Sequence, residues 1–229
     1  MPARESELPA VQDALRNDKH IHITAIANHV VLESPKLVWV HFEATENGTD
    51  LAKSVATALK TINNPQLNVI VIPGTNTVFD PSQILPPKFL KLFDEGFVEQ
   101  FNDIVAFYLP RPDENRLTVG PVRAKAGLGI GQSFYIEIPI EGGSNNATLY
   151  IDFALRADEI QPVSDVLRAG GFTISAQHNQ FVNDSPHLYL VHASASSDDG
   201  FALGNTLFDA IQIIQEKSRQ ARNHDWDND

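Results

Sequence analysis

Asn28-His29-Val30-Val31-Leu32-Glu33-Ser34-Pro35-Lys36-Leu37-Val38-Trp39-Val40-His41 is the stretch that decides how this chain is read. Asn179-Gln180-Phe181-Val182-Asn183-Asp184-Ser185-Pro186-His187-Leu188-Tyr189-Leu190-Val191-His192 runs in register with it. In each, β-forming residues reach a Ser-Pro turn, and a second apolar run ends on a histidine. Upstream, Glu7-Leu8-Pro9-Ala10-Val11-Gln12-Asp13-Ala14-Leu15-Arg16 reads against Glu159-Ile160-Gln161-Pro162-Val163-Ser164-Asp165-Val166-Leu167-Arg168. One supersecondary unit is therefore expected twice, far apart in the chain.

Working outward, the first unit reads as a helix from Ser6 to about Arg16, with Val11, Ala14 and Leu15 as its apolar stripe. A strand from His20 to Val31 and a return strand from Leu37 to Ala44 follow. A second helix from Asp50 to Ile62 gathers Leu51, Val55, Leu59 and Ile62 on one face. The second unit repeats this order: a helix over Asp158–Ala169, strands over Phe172–Val182 and Leu188–Ser194, and a helix over Phe201–Arg222. Between them, Val69–Ile72, Ile104–Leu109, Gln132–Ile140 and Thr148–Leu155 read as strands, Phe89–Phe93 as a short helix, and Glu141–Asn146 as a hairpin turn. Tyr150–Leu155 leads into the second unit's helix, and the first unit is read as lacking such a strand.

The fold class expected is α+β, with duplicated helix–hairpin–helix modules on antiparallel sheets about a pseudo-twofold axis. Residues 1–66 form a partial first module and residues 67–229 a complete second one with upstream strands. About sixty residues make a marginal core alone, so the two are expected to pack as one body.

Composition narrows the function. A net charge of -12 argues against a nucleic-acid partner, because phosphates need a basic field. With no cysteine, disulfides, thiolate ligands and cysteine nucleophiles are excluded. No apolar run is long enough for a transmembrane helix, so no membrane insertion is expected. The polar start Met1-Pro2-Ala3-Arg4-Glu5-Ser6-Glu7 has no signal-peptide core, so the chain as written is expected to be cytoplasmic, or to have lost a leader. Gly127-Leu128-Gly129-Ile130-Gly131 lacks the spacing of a dinucleotide loop and precedes a strand, so nucleotide binding is discounted.

The chain resembles the LppY/LpqO family, exported proteins of unknown function that look like tandem copies of one module. Asp152-Phe153-Ala154-Leu155-Arg156-Ala157-Asp158-Glu159-Ile160 is similar to its strand-to-helix start. Ala176-Gln177-His178-Asn179-Gln180 resembles its two-histidine strand with the second histidine replaced, and Ala25-Ile26-Ala27-Asn28-His29 the same strand with the first replaced. Leu109-Pro110-Arg111-Pro112-Asp113 and Gly127 to Phe134 also match its upstream half. The resemblance spans about residues 78–215 and 5–62. It implies a histidine patch of two imidazoles on one strand and one on its partner, and no established activity.

Here each unit keeps two: His29 and His41 in the first, His178 and His192 in the second. Two imidazoles hold zinc weakly unless a carboxylate joins them, and Glu33, Asp184, Asp152 and Glu159 are candidates. If the units face each other, the four histidines form one cluster for a divalent transition metal such as Zn²⁺. The alternatives are half-buried sheet histidines without a metal, or His178 and His192 as general acid and base. In that enzyme reading, a small hydrolase, lyase or isomerase, Arg111 anchors a substrate carboxylate, although such an arginine more often ties down a loop. His20, His22, His187 and His224 read as surface or loop residues. An interaction module, pairing with a second copy or another chain through an exposed sheet edge, is the third class. A small-molecule ligand is compatible with the first two readings.

Overall fold

The computed structural model describes residues 1–31, 34–62, 85, 87–91, 97–101, 104–113, 116–124, 130–137 and 146–224. The strand expected at Val69–Ile72, the carboxylate of Glu33 and most of the turn expected at Glu141–Asn146 lie outside these residues.

The elements run β1 (Pro2–Arg4), α1 (Leu8–Arg16), β2 (Ile21–Ala27), β3 (Leu37–Ala44), α2 (Gly48–Leu59), α3 (Pro87–Leu90), β4 (Phe97–Phe101), β5 (Ile104–Leu109), β6 (Thr118–Val119) and β7 (Val122–Arg123). They continue as β8 (Gln132–Glu137), β9 (Ala147–Leu155), α4 (Ala157–Ala169), β10 (Thr173–Asn179), β11 (Asp184–Ser185), β12 (Tyr189–Ser197) and α5 (Gly200–His224). Every pairing among them is antiparallel. The sheets are β1-β3-β2, β10-β12-β9-β8-β5-β4 and a small β11-β6-β7, so the α+β class holds.

The larger sheet is built by alternation. Leu149, Ile151 and Phe153 of β9 turn to one side, with Val191 and Ala193 of β12 and Phe134 and Ile136 of β8. The apolar faces of α4, with Val163 and Leu167, and α5, with Leu203, Leu207 and Ile211, seal that side. Truncating Phe134 or Phe153, both wholly buried, would cost about 3–5 kcal/mol. Gly170 ends α4 with no room for a side chain, since a Cβ there would lie 2.2 Å from Thr206. The opposite face carries the polar partners of the alternation: Thr148, Tyr150 and Asp152 on β9, and His192, Ser194 and Ser196 on β12. The small sheet covers one end of this face through Leu117, Ile130, Leu188 and Leu190.

The smaller sheet repeats the arrangement. Val11 and Leu15 of α1 pack on Ile21 and Val40, with Ala58 of α2 closing the cluster. Of the apolar face expected on α2, Leu51 and Ile62 border this core. The first unit does have a leading strand, contrary to the sequence reading. Three residues, Pro2 to Arg4, pair with β3 and feed α1 as β9 feeds α4. They carry one buried side chain, Ala3, so no periodicity marked them; the pairing with β3 defines them.

The two hairpins share a register. Ala25 faces His41 and Ala176 faces His192, and each hairpin has an irregularity just before, between Ile23 and Ala25 and between Ile174 and Ala176. Glu7 Oε2 accepts from the Arg4 amide at 2.8 Å, and Glu159 Oε2 from the Arg156 amide at 2.7 Å. β2 and β10, the outer strands of their sheets, lie against each other, and the Ser175 hydroxyl donates across the junction to the His29 carbonyl.

Candidate functional site

The junction of β2 and β10 gathers His29, His41, His178 and His192. His41 and His192 hold equivalent places on β3 and β12. The other two do not: His29 lies beyond the end of β2, whereas His178 lies within β10. The same numerical offset that carries His41 to His192 carries His29 to Gln180, and Ala27 to His178. Each hairpin thus supplies a different second imidazole.

The rings interlock across the junction. His29 stacks on Trp39 of its own hairpin at 4.2 Å between ring centroids, and on His192 of the other at 3.7 Å. His41 lies 4.4 Å from His178. Nitrogens converge inside. His29 Nε2 is 3.2 Å from His41 Nε2, and His178 Nε2 is 2.9 Å from His192 Nε2. Ring nitrogens of His29, His41 and His192 all lie within 4.8 Å of one another.

The outer nitrogens define the inner ones. His192 Nδ1 bonds the Asp152 carboxylate, and His178 Nδ1 lies 2.9 Å from the Asn179 carbonyl. Both oxygens only accept, so both Nδ1 atoms carry the proton and both Nε2 atoms present lone pairs. Two lone pairs facing at 2.9 Å repel unless a cation sits between them. A proton is a poor candidate, because burial lowers the pKa of His178, against the opposing pull of the Asn179 carbonyl and Asp152. Burial, helped by the neighbouring imidazoles, also pushes His29 down to about 2 and His41 to about 3. Burial thus favours the neutral form at His29, His41 and His178.

Those distances suit a transition metal. Two nitrogens held about 2.0–2.1 Å from one ion stand roughly 2.9 Å apart at a right angle and roughly 3.3 Å apart at the tetrahedral angle. An all-imidazole donor set suits zinc, copper or nickel and not magnesium or calcium. The Asp152–His192 pair is the outer carboxylate that commonly orients a metal-ligating histidine.

Of the four candidate carboxylates, Asp152 reaches the cluster. Asp184 instead bonds His187, and Glu159 binds Arg111. Arg111 lies away from the imidazoles, its side chain wholly buried. It grips Asp113 and Glu159 with two bonds each, and also reaches the Ala154 carbonyl and Ser218. Its five N–H groups are thereby spent within the chain. Burial opposes the guanidinium charge, but Glu159 and Asp113 outweigh it and raise the pKa. Sequence reading missed Tyr135, which pairs with Tyr150 beside the site and whose pKa is raised by burial and by the Asp152 charge. Its place in an alternating strand was the available signal. His20 bonds Glu46 at the surface, and its ring, Asp18 and Glu46 form a second, more exposed group.

A family model described as Domain of Unknown Function (DUF1259) matches residues 3–61 and 95–212, and the chain belongs to that family. No curated protein and no solved structure matches it. Among the described residues no helix is long and apolar enough to cross a membrane.

Proposed function

We propose that this member of the DUF1259 family binds one divalent transition metal, with zinc the first candidate, at the seam between its two hairpins. The LppY/LpqO resemblance supports the reading, because tandem modules explain why equivalent hairpins meet and why histidines stand at matched positions within β3 and β12. The observation that carries the proposal is the pair of converging Nε2 lone pairs of His178 and His192, each fixed by an outer acceptor. His29, His41 and His192 are the mutually close set, with His178 beside His192. Three mutually close ligands with a displaceable fourth, His178, fit an exchangeable site, where the ion can take a small molecule or an activated water.

Elemental analysis of protein purified without chelators tests this. The expected result is near-stoichiometric zinc, copper or nickel, lost in a His41→Ala,His192→Ala variant that keeps its circular dichroism. Metal-free protein with no thermal shift on adding Zn²⁺, Ni²⁺ or Cu²⁺ would refute it.

A further inference from the structure

Two grooves flank the histidine cluster, and they occupy equivalent places. The offset that carries His41 to His192 also carries His22 to Thr173, Glu43 to Ser194 and Thr45 to Ser196. His22, Glu43 and Thr45 line one groove, with Lys19 and His20, closed by the turn at Val119 to Pro121. Thr173, Ser194 and Ser196 line the other. The first measures about 220 Å³ and the second about 410 Å³.

Their chemistry differs completely. The first groove carries charged side chains. Among its described residues the second carries none: hydroxyls of Thr148, Thr173, Ser194 and Ser196 and the ring of Tyr150 line it together with Val30 and Val31. Thr148 Oγ1 and Ser196 Oγ stand 3.0 Å apart. β9 supplies the extra wall, since it runs nine residues where β1 runs three.

The second groove adjoins the cluster along the strands. Val30 follows His29, Tyr150 lies two positions from Asp152, and Ser194 lies two from His192. Residues two apart on a strand share a face and stand about 6.6–6.8 Å apart, within the span of one small molecule. The row Thr173–Ser194–Tyr150 therefore runs beside the row Ala176–His192–Asp152.

We infer that this groove is the ligand subsite of the metal centre and takes a neutral polyhydroxylated molecule of monosaccharide size. The inference rests on the metal-binding reading for its neighbour. Hydroxyls both donate and accept, so they match ligand hydroxyls in either sense. Beyond the ion itself, a charged ligand would find no counter-charge among the described residues of the groove, and an anion would also meet the chain's net charge of -12. A wholly apolar ligand would strand the hydroxyls. The volume falls in the range of small-molecule sites, about 300–1,000 Å³, and the tyrosine ring offers a flat wall for a sugar face.

The test uses D-glucose and myo-inositol as neutral probes and D-glucuronate as the charged one, on zinc-loaded and chelator-stripped full-length chain, with zinc content measured in each sample. Binding is followed by saturation-transfer difference NMR up to about 20 mM, a weak-binding range. At least one neutral probe is expected to bind the loaded protein, at least about fivefold tighter than glucuronate and tighter than it binds the stripped protein. Ser194→Val should weaken it by about fivefold or more, the worth of one hydrogen bond. Thr173→Val, more exposed, serves if that variant folds poorly. Glu43→Ala in the other groove should leave binding unchanged. No neutral binding to zinc-loaded protein, stronger binding of glucuronate, indifference to both groove variants, or equal binding with and without zinc would overturn the inference while the metal reading stands. Failure of zinc to load would instead sink the metal reading.

Discussion

His29 lies flat on His192, ring centroids 3.7 Å apart and planes within 28°, although the two residues come from different hairpins. The hydroxyl of Ser175 ties the same junction together, donating to the carbonyl of each of these two histidines. A ligand held by this pair would clamp β2 to β10, so binding at the cluster and packing of the two sheets are coupled. Loading with metal should therefore raise the melting temperature of the whole chain in one transition.

Asp152 should act on the metal through His192. Asp152→Asn removes the carboxylate that holds the Nδ1 proton and frees the ring to take the other tautomer. The expected loss is about 10–100-fold in zinc affinity with the fold retained. Competition against a chromogenic chelator measures it. Unchanged affinity would remove Asp152 from the site.

Arg111 should matter to stability and not to metal. Arg111→Ala leaves buried Asp113 and Glu159 with only the looser Arg156 guanidinium, 3.4 Å from Asp113 and 3.6 Å from Glu159. The cost of breaking such a pair from one side is about 3–5 kcal/mol. Urea unfolding should report it, while the folded fraction still binds zinc as the native protein does. A mild effect on stability with a large loss of zinc would reverse the assignment.

Acid should weaken the chelator-stripped protein before its carboxylates titrate. In the fold, His29 stays neutral down to about 2 and His41 down to about 3, while both ordinarily titrate at 6.5. Between those values the unfolded chain binds more protons, so stability rises with pH and is lost as pH falls below 6.5. The loss should already be measurable at about pH 4.5, above the ordinary carboxylate pKa values. A His29→Gln,His41→Gln variant should flatten this part of the curve. Urea midpoints that stay level in the native protein across this window would contradict the account.

The hairpins, their turns and the long helices were legible because each rests on local chemistry: Ser-Pro turns, alternation into a buried face, and apolar stripes. The histidine identities were legible too, since His41 and His192 close matched apolar runs. Their meeting was not readable, because it depends on how β2 and β10 lie against each other, which no local pattern encodes. The pairing of Asp152 with His192 depends on the register of β9 against β12. Arg111 and Glu159 stand 48 residues apart, with β8 and β9 between them in sequence, so the buried bond that consumes the arginine lies beyond any motif.

The most direct measurement is a calorimetric titration of zinc into chelator-stripped protein, with fluorescence of Trp39, which stacks on His29, read in parallel in a Trp226→Phe background. The account predicts one site per chain, a change in Trp39 emission saturating at the same ratio, and loss of both signals in the His41→Ala,His192→Ala variant. Zinc uptake that is absent, or that survives unchanged in that variant, would contradict it.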